Sequence, residues 1–198
     1  MSGRLAQMGD ERGRTPRWRL ALLAGLALLA CGLLVCAHGV AQAATERSEG
    51  TATCEAILWS LDQLVPAPGE ASEDDPASLP VLQLRGVDVV GRLTAKDIAF
   101  DLPVAALGTD SATVPCLEQG NGNELVVRCQ PWHQGASALS SLAKGDEVTF
   151  TQVDGATRTY RVADSGVTSQ EFDDHFDLLV YYEGQFGGRH WVGCSQSS

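Results

Sequence analysis

Eighteen consecutive apolar or small residues, Leu20 to Ala37, follow a tail carrying Arg4, Arg12, Arg14, Arg17 and Arg19. A stretch of that length sits at the short end of what a helix needs to cross a bilayer. It constrains everything downstream, because such a segment sends the following sequence across a membrane. Residues 1–44 set those five arginines against Asp10 and Glu11, a balance of +3, so the formal total of −11 leaves −14 for the remainder. Basic sequence before the run and acidic sequence after it place the N-terminus in the cytoplasm and the C-terminal domain outside. Three fates of the segment stay open. It is a single-pass anchor, a signal peptide cleaved at Ala41-Gln42-Ala43, or a lipoprotein signal with Leu28-Leu29-Ala30-Cys31 as lipobox. The long basic tail and the long run favour the anchor, and the run stays apolar past Cys31, which argues against cleavage there. The expected localisation is the cell membrane with an extracellular C-terminal domain, or secretion if the signal is removed.

At 198 residues the chain has room for one ordinary domain and an appendage. The 44% hydrophobic content supports a packed core. A strongly acidic domain repels phosphate backbones, so no nucleic acid is expected as partner. Cys31 and Cys36 lie in the apolar run, which leaves Cys54, Cys116, Cys129 and Cys194 in the exported part. An even number of cysteines in an oxidising compartment permits disulfides. No CxxC or Cys/His spacing points to zinc, and no cofactor is expected.

Four segments follow from the patterning: a basic tail over residues 1–19, the anchor or signal over 20–43, a helical segment and acidic linker over 44–78, and a β domain over 79–198. Residues 45–53 read as a short polar tether. In 54–65, Ile57, Leu58, Leu61 and Leu64 recur at helical spacing, and Pro66 and Pro68 end the pattern. Residues 66–80, rich in Pro, Gly, Ser and acid, read as a flexible linker. Short β runs then follow at 81–84, 87–93, 98–104 (with Pro103 at an edge or strand end), 125–129, 147–153, 157–162, 178–182 and 190–194, with a turn at Gly120-Asn121-Gly122-Asn123 and a short helical piece at 137–142. The expected fold is mostly β, a small closed barrel or sandwich with short helices behind an N-terminal transmembrane helix.

The order of several segments resembles the sortases, cell-wall transpeptidases of Gram-positive bacteria. VDVVGRLTAKDIAFDLPV at 87–104 is similar to that family's opening strands. Val114-Pro115-Cys116 resembles the strand start that follows, and LAKGDEVTFTQVDGATRTYRV at 142–162 resembles its Gly-Asp hairpin. The likeness is nearest to actinobacterial and clostridial forms related to class B. It implies a closed barrel of about eight strands over 79–198. It also implies a site built from a cysteine nucleophile, a histidine for proton transfer and an arginine that stabilises the oxyanion or orients substrate.

Aligned on those segments, Arg189 occupies the arginine position, Gln130 stands where the histidine belongs, and Tyr182 or Glu183 stands at the cysteine. An amide cannot exchange a proton near neutral pH, and neither a phenol nor a carboxylate attacks an amide without an activating base. The resemblance therefore implies a degenerate site, a pseudoenzyme whose groove still holds a surface-protein or pilin peptide or assists an active sortase. A second reading keeps transpeptidation on rearranged groups, with Cys129 or Cys194 as nucleophile and His133 or His190 as base. Cys116 and Cys194 compete for a structural role as a disulfide. A third reading is a surface domain without ligand.

Overall fold

The computed structural model describes residues 17–66, 79–95, 98–109, 113–120, 124–133, 135–170, 172, 176–184 and 187–197. The first 16 residues of the tail, most of the expected linker (67–78) and the turn residues 121–123 lie outside them. Two compact units divide the chain, Met1–Ala43 and Ala44–Ser198.

Helix α1 spans Arg17–Leu64 and contributes to both units. In the first unit Leu22, Leu26, Leu29 and Leu33 stand exposed, a helix long and apolar enough to cross a membrane as anchor or signal sequence. In the second, the tether expected over 45–53 is helical instead. Its sequence contains no proline, and the hydroxyls of Ser48, Thr51 and Thr53 donate back to the carbonyls of Thr45, Arg47 and Glu49. Polar side chains that read as loop formers are thus accommodated inside the helix. The buried stripe on its last turns is Cys54, Ile57 and Leu61, whereas Leu64 is exposed. This stripe packs with Leu84, Val89, Ala105, Val114 and Cys116. Burial of Ile57 and Leu61 stabilises the contact by about 1.5–3 kcal/mol each. Asp62 and Asp101 both bond the Arg92 guanidinium, tying the end of α1 to the sheet.

Nine strands follow: β1 Leu82–Leu84, β2 Val87–Ala95, β3 Phe100–Ala105, β4 Cys116–Gly120, β5 Leu125–Cys129, β6 Glu147–Gln152, β7 Thr157–Thr168, β8 Leu178–Glu183 and β9 Arg189–Gln196. Their order is β1-β2-β3-β4-β5-β8-β9-β7-β6, and β6 pairs back onto β2, so β2 through β9 close an eight-stranded barrel with β1 appended. Closure leaves the ring without exposed edges. Gly91 sits at the seam opposite Gln152, where any side chain would meet the Thr151 carbonyl and the Phe150 ring. Pro103 pairs with β2, while β3 meets β4 only at Ala105–Cys116, so its missing N–H falls where no ladder bond is needed. Alternation fills the interior with Leu93, Leu102, Val104, Val127, Phe150, Tyr160, Val180 and Val192. The 3-10 helix Ala136–Ser141 adds Ala136 and Leu139 to that core.

Candidate functional site

Strands β5 and β8 run parallel, and β9 runs antiparallel to β8 on its other side. Register fixes which residues share a row. Cys129, Tyr182 and His190 form one row, and Arg128, Tyr181 and Trp191 form the next. Partners in a row face the same side of a sheet, and successive rows face opposite sides. Cys129, Tyr182 and Cys194 belong to the core, so their rows face inward. Val126, Arg128, Leu179, Tyr181, Arg189 and Trp191 therefore project from the outer face.

On that outer face lies a groove of about 540 Å³, floored by Val126, Arg128, Leu179 and Tyr181 and walled by Glu118, Phe172, Phe176 and Arg189. The Arg189 guanidinium carbon stands 5.8 Å from the ring centres of both Phe172 and Tyr181. Its Nε lies 3.7 Å from a Glu183 oxygen, a loose pair that leaves donors available. Phe172 packs on Tyr181 at 5.2 Å and on Trp191 at 6.1 Å, and Phe176 packs on Trp191 at 5.5 Å. Gly193 makes room for Phe176, since a Cβ there would come within 2.5 Å of the ring. Tyr181 donates its hydroxyl to Glu118, which also receives Arg128 at 3.1 Å. Burial and then this carboxylate push the Tyr181 phenol above its ordinary range, so it stays a donor. With Arg128 engaged by Glu118, the groove offers the Arg189 guanidinium beside an aromatic wall, geometry suited to a carbonyl oxygen beside apolar side chains.

The inward rows hold different chemistry. Tyr182 and His190 stack at 4.8 Å with planes 7° apart. Cys129 is 1% exposed, and desolvation, with Cys116 and Cys54 nearby, raises its thiol far above the usual range. Burial pushes Cys194 up to about 12. Neither forms appreciable thiolate at neutral pH, and the thiolate is the nucleophile. Cys194 lies four residues along β9 from His190, about 13 Å at strand rise. His133 follows β5 and is 2% exposed. Its Nδ1 accepts the Gln130 amide N–H at 3.0 Å, so the lone pair that a general base requires is already engaged. Among the described residues neither Cys129 nor Cys194 bonds an imidazole, and Cys54 donates to the Thr113 carbonyl.

The positions singled out in the sequence thus separate. Glu183 and Arg189 meet across one row of the outer face, while Tyr182, Cys129 and His190 turn inward on the row beside it. Gln130 lies just past β5, engaged with His133 through both backbone groups. Cys116 and Cys194, considered as a disulfide, sit on β4 and β9 with two strands between them, about 14 Å around the sheet. That exceeds disulfide reach. Among the described residues no group of His, Cys, Asp and Glu is arranged to hold a metal ion. Sequence reading passed over Phe172, Phe176, Tyr181, Trp191, Glu118 and Arg128. The one available signal was alternation in Leu178–Glu183, which puts Tyr181 and Glu183 on a common face.

No protein-family model matches the chain, and no curated protein does. Solved structures do. The chain is similar to Clostridium perfringens sortase C with the C-terminal cell wall sorting motif, at 17% identity and TM-score 0.46 over 56% of this chain and 71% of that one. It is similar to Listeria monocytogenes sortase A, at 15% identity and TM-score 0.46 over 56% and 88%. Streptococcus agalactiae sortase C1 in complex with MTSET matches at 14% identity and TM-score 0.48 over 78% and 90%. These three structures are sortases of classes A and C.

Proposed function

We propose that this chain is a sortase-like domain, tethered outside the cell membrane by helix α1, that binds an extended peptide in the outer groove without performing transpeptidation. The observation that carries the reading is the composition of the groove. Its described lining supplies Arg189, an Arg128 paired with Glu118, Glu124 and an aromatic wall, but neither cysteine nor histidine. Binding energy in such a groove comes from apolar contact and oriented donors, which need no nucleophile. Amide exchange needs both a nucleophile and a proton carrier, and what remains without them is a small fraction of an intact site's rate. The ordered segments that resemble sortases, and an eight-stranded closed barrel, support peptide as the ligand class. A surface-protein or pilin segment is the occupant, or the domain presents one to an active sortase. The arginine-rich tail ahead of the single long apolar helix supports the anchored, domain-outside topology.

Full-length protein in detergent micelles, titrated into a fluorescent peptide with an LPXTG-type motif, tests this by anisotropy and mass spectrometry. Saturable binding is expected, weakened about tenfold by Arg189→Ala through loss of charge-assisted hydrogen bonds, with the peptide recovered intact. A cleaved or amine-transferred peptide refutes inactivity, and absence of binding refutes the groove.

A further inference from the structure

We propose that Cys54 and Cys116 form a disulfide in the exported protein, a covalent clamp between helix α1 and strand β4. Four thiols belong to the second unit, and the fold sorts them. Cys194 faces the barrel interior on β9. Cys129 is also interior. Cys116 pairs in register with Arg128, an outward residue, so Cys116 and Cys129 point to opposite sides of the sheet despite lying on neighbouring strands. Cys116 belongs instead to the buried cluster that receives α1, and Cys54 heads the stripe which fills that cluster. The Cys54 thiol donates to the Thr113 carbonyl at 3.6 Å, three residues before Cys116, so the two cysteines belong to one contact between helix and strand. Burial of Cys54 and Cys116, at 4% and 5% exposure, closes the pair to solvent in the folded state.

The chemistry is a two-electron oxidation. Two thiols become one S–S bond and release two protons, and the two electrons reduce the disulfide of an extracytoplasmic thiol:disulfide oxidoreductase, or of oxidised glutathione, to its dithiol or two thiols. One thiolate attacks the oxidant's disulfide, and the second then displaces the reduced oxidant from the mixed disulfide. Burial requires this exchange before α1 docks, and afterwards it shields the bond from reductants.

Trypsin separates the four cysteines completely, because Arg47, Arg85, Lys96, Arg128, Lys144 and Arg189 bound peptides 48–85, 97–128, 129–144 and 190–198. Full-length protein taken from membranes and alkylated without reductant is expected to give 48–85 linked to 97–128, with 129–144 and 190–198 alkylated. Refolding from urea in a glutathione redox buffer is expected to give the same link independently of export. Full alkylation of all four in both arms, or any link among these peptides other than 48–85 to 97–128, overturns the proposal. Cys54→Ser supplies the control: it is expected to leave Cys116 alkylated in both arms, and re-pairing of Cys116 elsewhere counts against the assignment. A peptide-binding result of either sign leaves this outcome unaffected.

Discussion

His133 provides a sharp test of the packing behind β5. Its Nδ1 accepts the Gln130 N–H, and the ring is 2% exposed. Protonation would turn that acceptor into a donor facing a donor and would bury a charge. Burial accordingly lowers the imidazole from 6.5 to about 4, and the Thr113 backbone offsets only part of the shift. The unfolded chain therefore binds the proton more readily than the folded one throughout the interval from 6.5 down to about 4. Stability is fully present above that interval and falls as pH drops through it. With about 1.4 kcal/mol per pH unit, the residue removes about 2 kcal/mol by about pH 5 and about 3 kcal/mol near the lower bound. Urea unfolding followed by circular dichroism at about pH 7.5 and about pH 5 measures this slope, with His133→Asn as reference, since its amide oxygen still accepts the Gln130 N–H without titrating. The variant is less stable at both pH values but loses about 2 kcal/mol less between them. Equal losses in the two proteins, within about 0.5 kcal/mol, refute the assignment of a neutral, buried, acceptor-bound ring.

Gly193→Ala drives a Cβ into the space of Phe176, and overpacking of this kind costs about 1–3 kcal/mol. In a chain whose Trp18, Trp59 and Trp132 are replaced by phenylalanine, the Trp191 emission shifts as Phe176 leaves it; an unchanged spectrum contradicts the packing described. Cys129 and Cys194 are buried and protonated, so an aromatic disulfide reagent at about pH 8 labels them only as the domain unfolds. Native labelling of either residue as fast as a model thiol would restore a cysteine chemistry to the domain.

The strand pattern was legible because period-two alternation and turn chemistry are local. Leu125–Cys129 stands where the sequence put it, and β8 and β9 differ from their expected bounds by one or two residues. What was not legible depended on distant partners. Helix α1 runs through 45–53 because helical hydroxyl-to-carbonyl bonds accommodate residues that also suit loops. Strand β7 extends to Thr168 because β9 is there to pair with it as far as Arg189. At the site, the sequence supplied residue types but not facing. Tyr182 and Glu183 were equivalent by counting, and only the β8–β9 register turns Glu183 toward Arg189 and Tyr182 toward His190. The aromatic wall escaped notice because Phe172 and Phe176 sit in a loop, where no periodicity announces what a side chain covers.

The order of strands around the ring has a kinetic consequence. Strand β9, last in chain order, lies between β7 and β8 and hydrogen-bonds along both. Without it the other seven strands of the ring, joined through β2 and β6, form an open sheet with β7 and β8 as free edges, and no local hairpin seals that gap. Pairings such as Gly91 with Gln152 and Cys129 with Tyr182 likewise join residues far apart in the chain. High contact order makes such assembly slow and leaves unpaired ladders open to aggregation in the interval. Shortening the chain before Arg189 would release two edges at once, so the cooperative transition belongs to the intact ring and not to any subset of its strands.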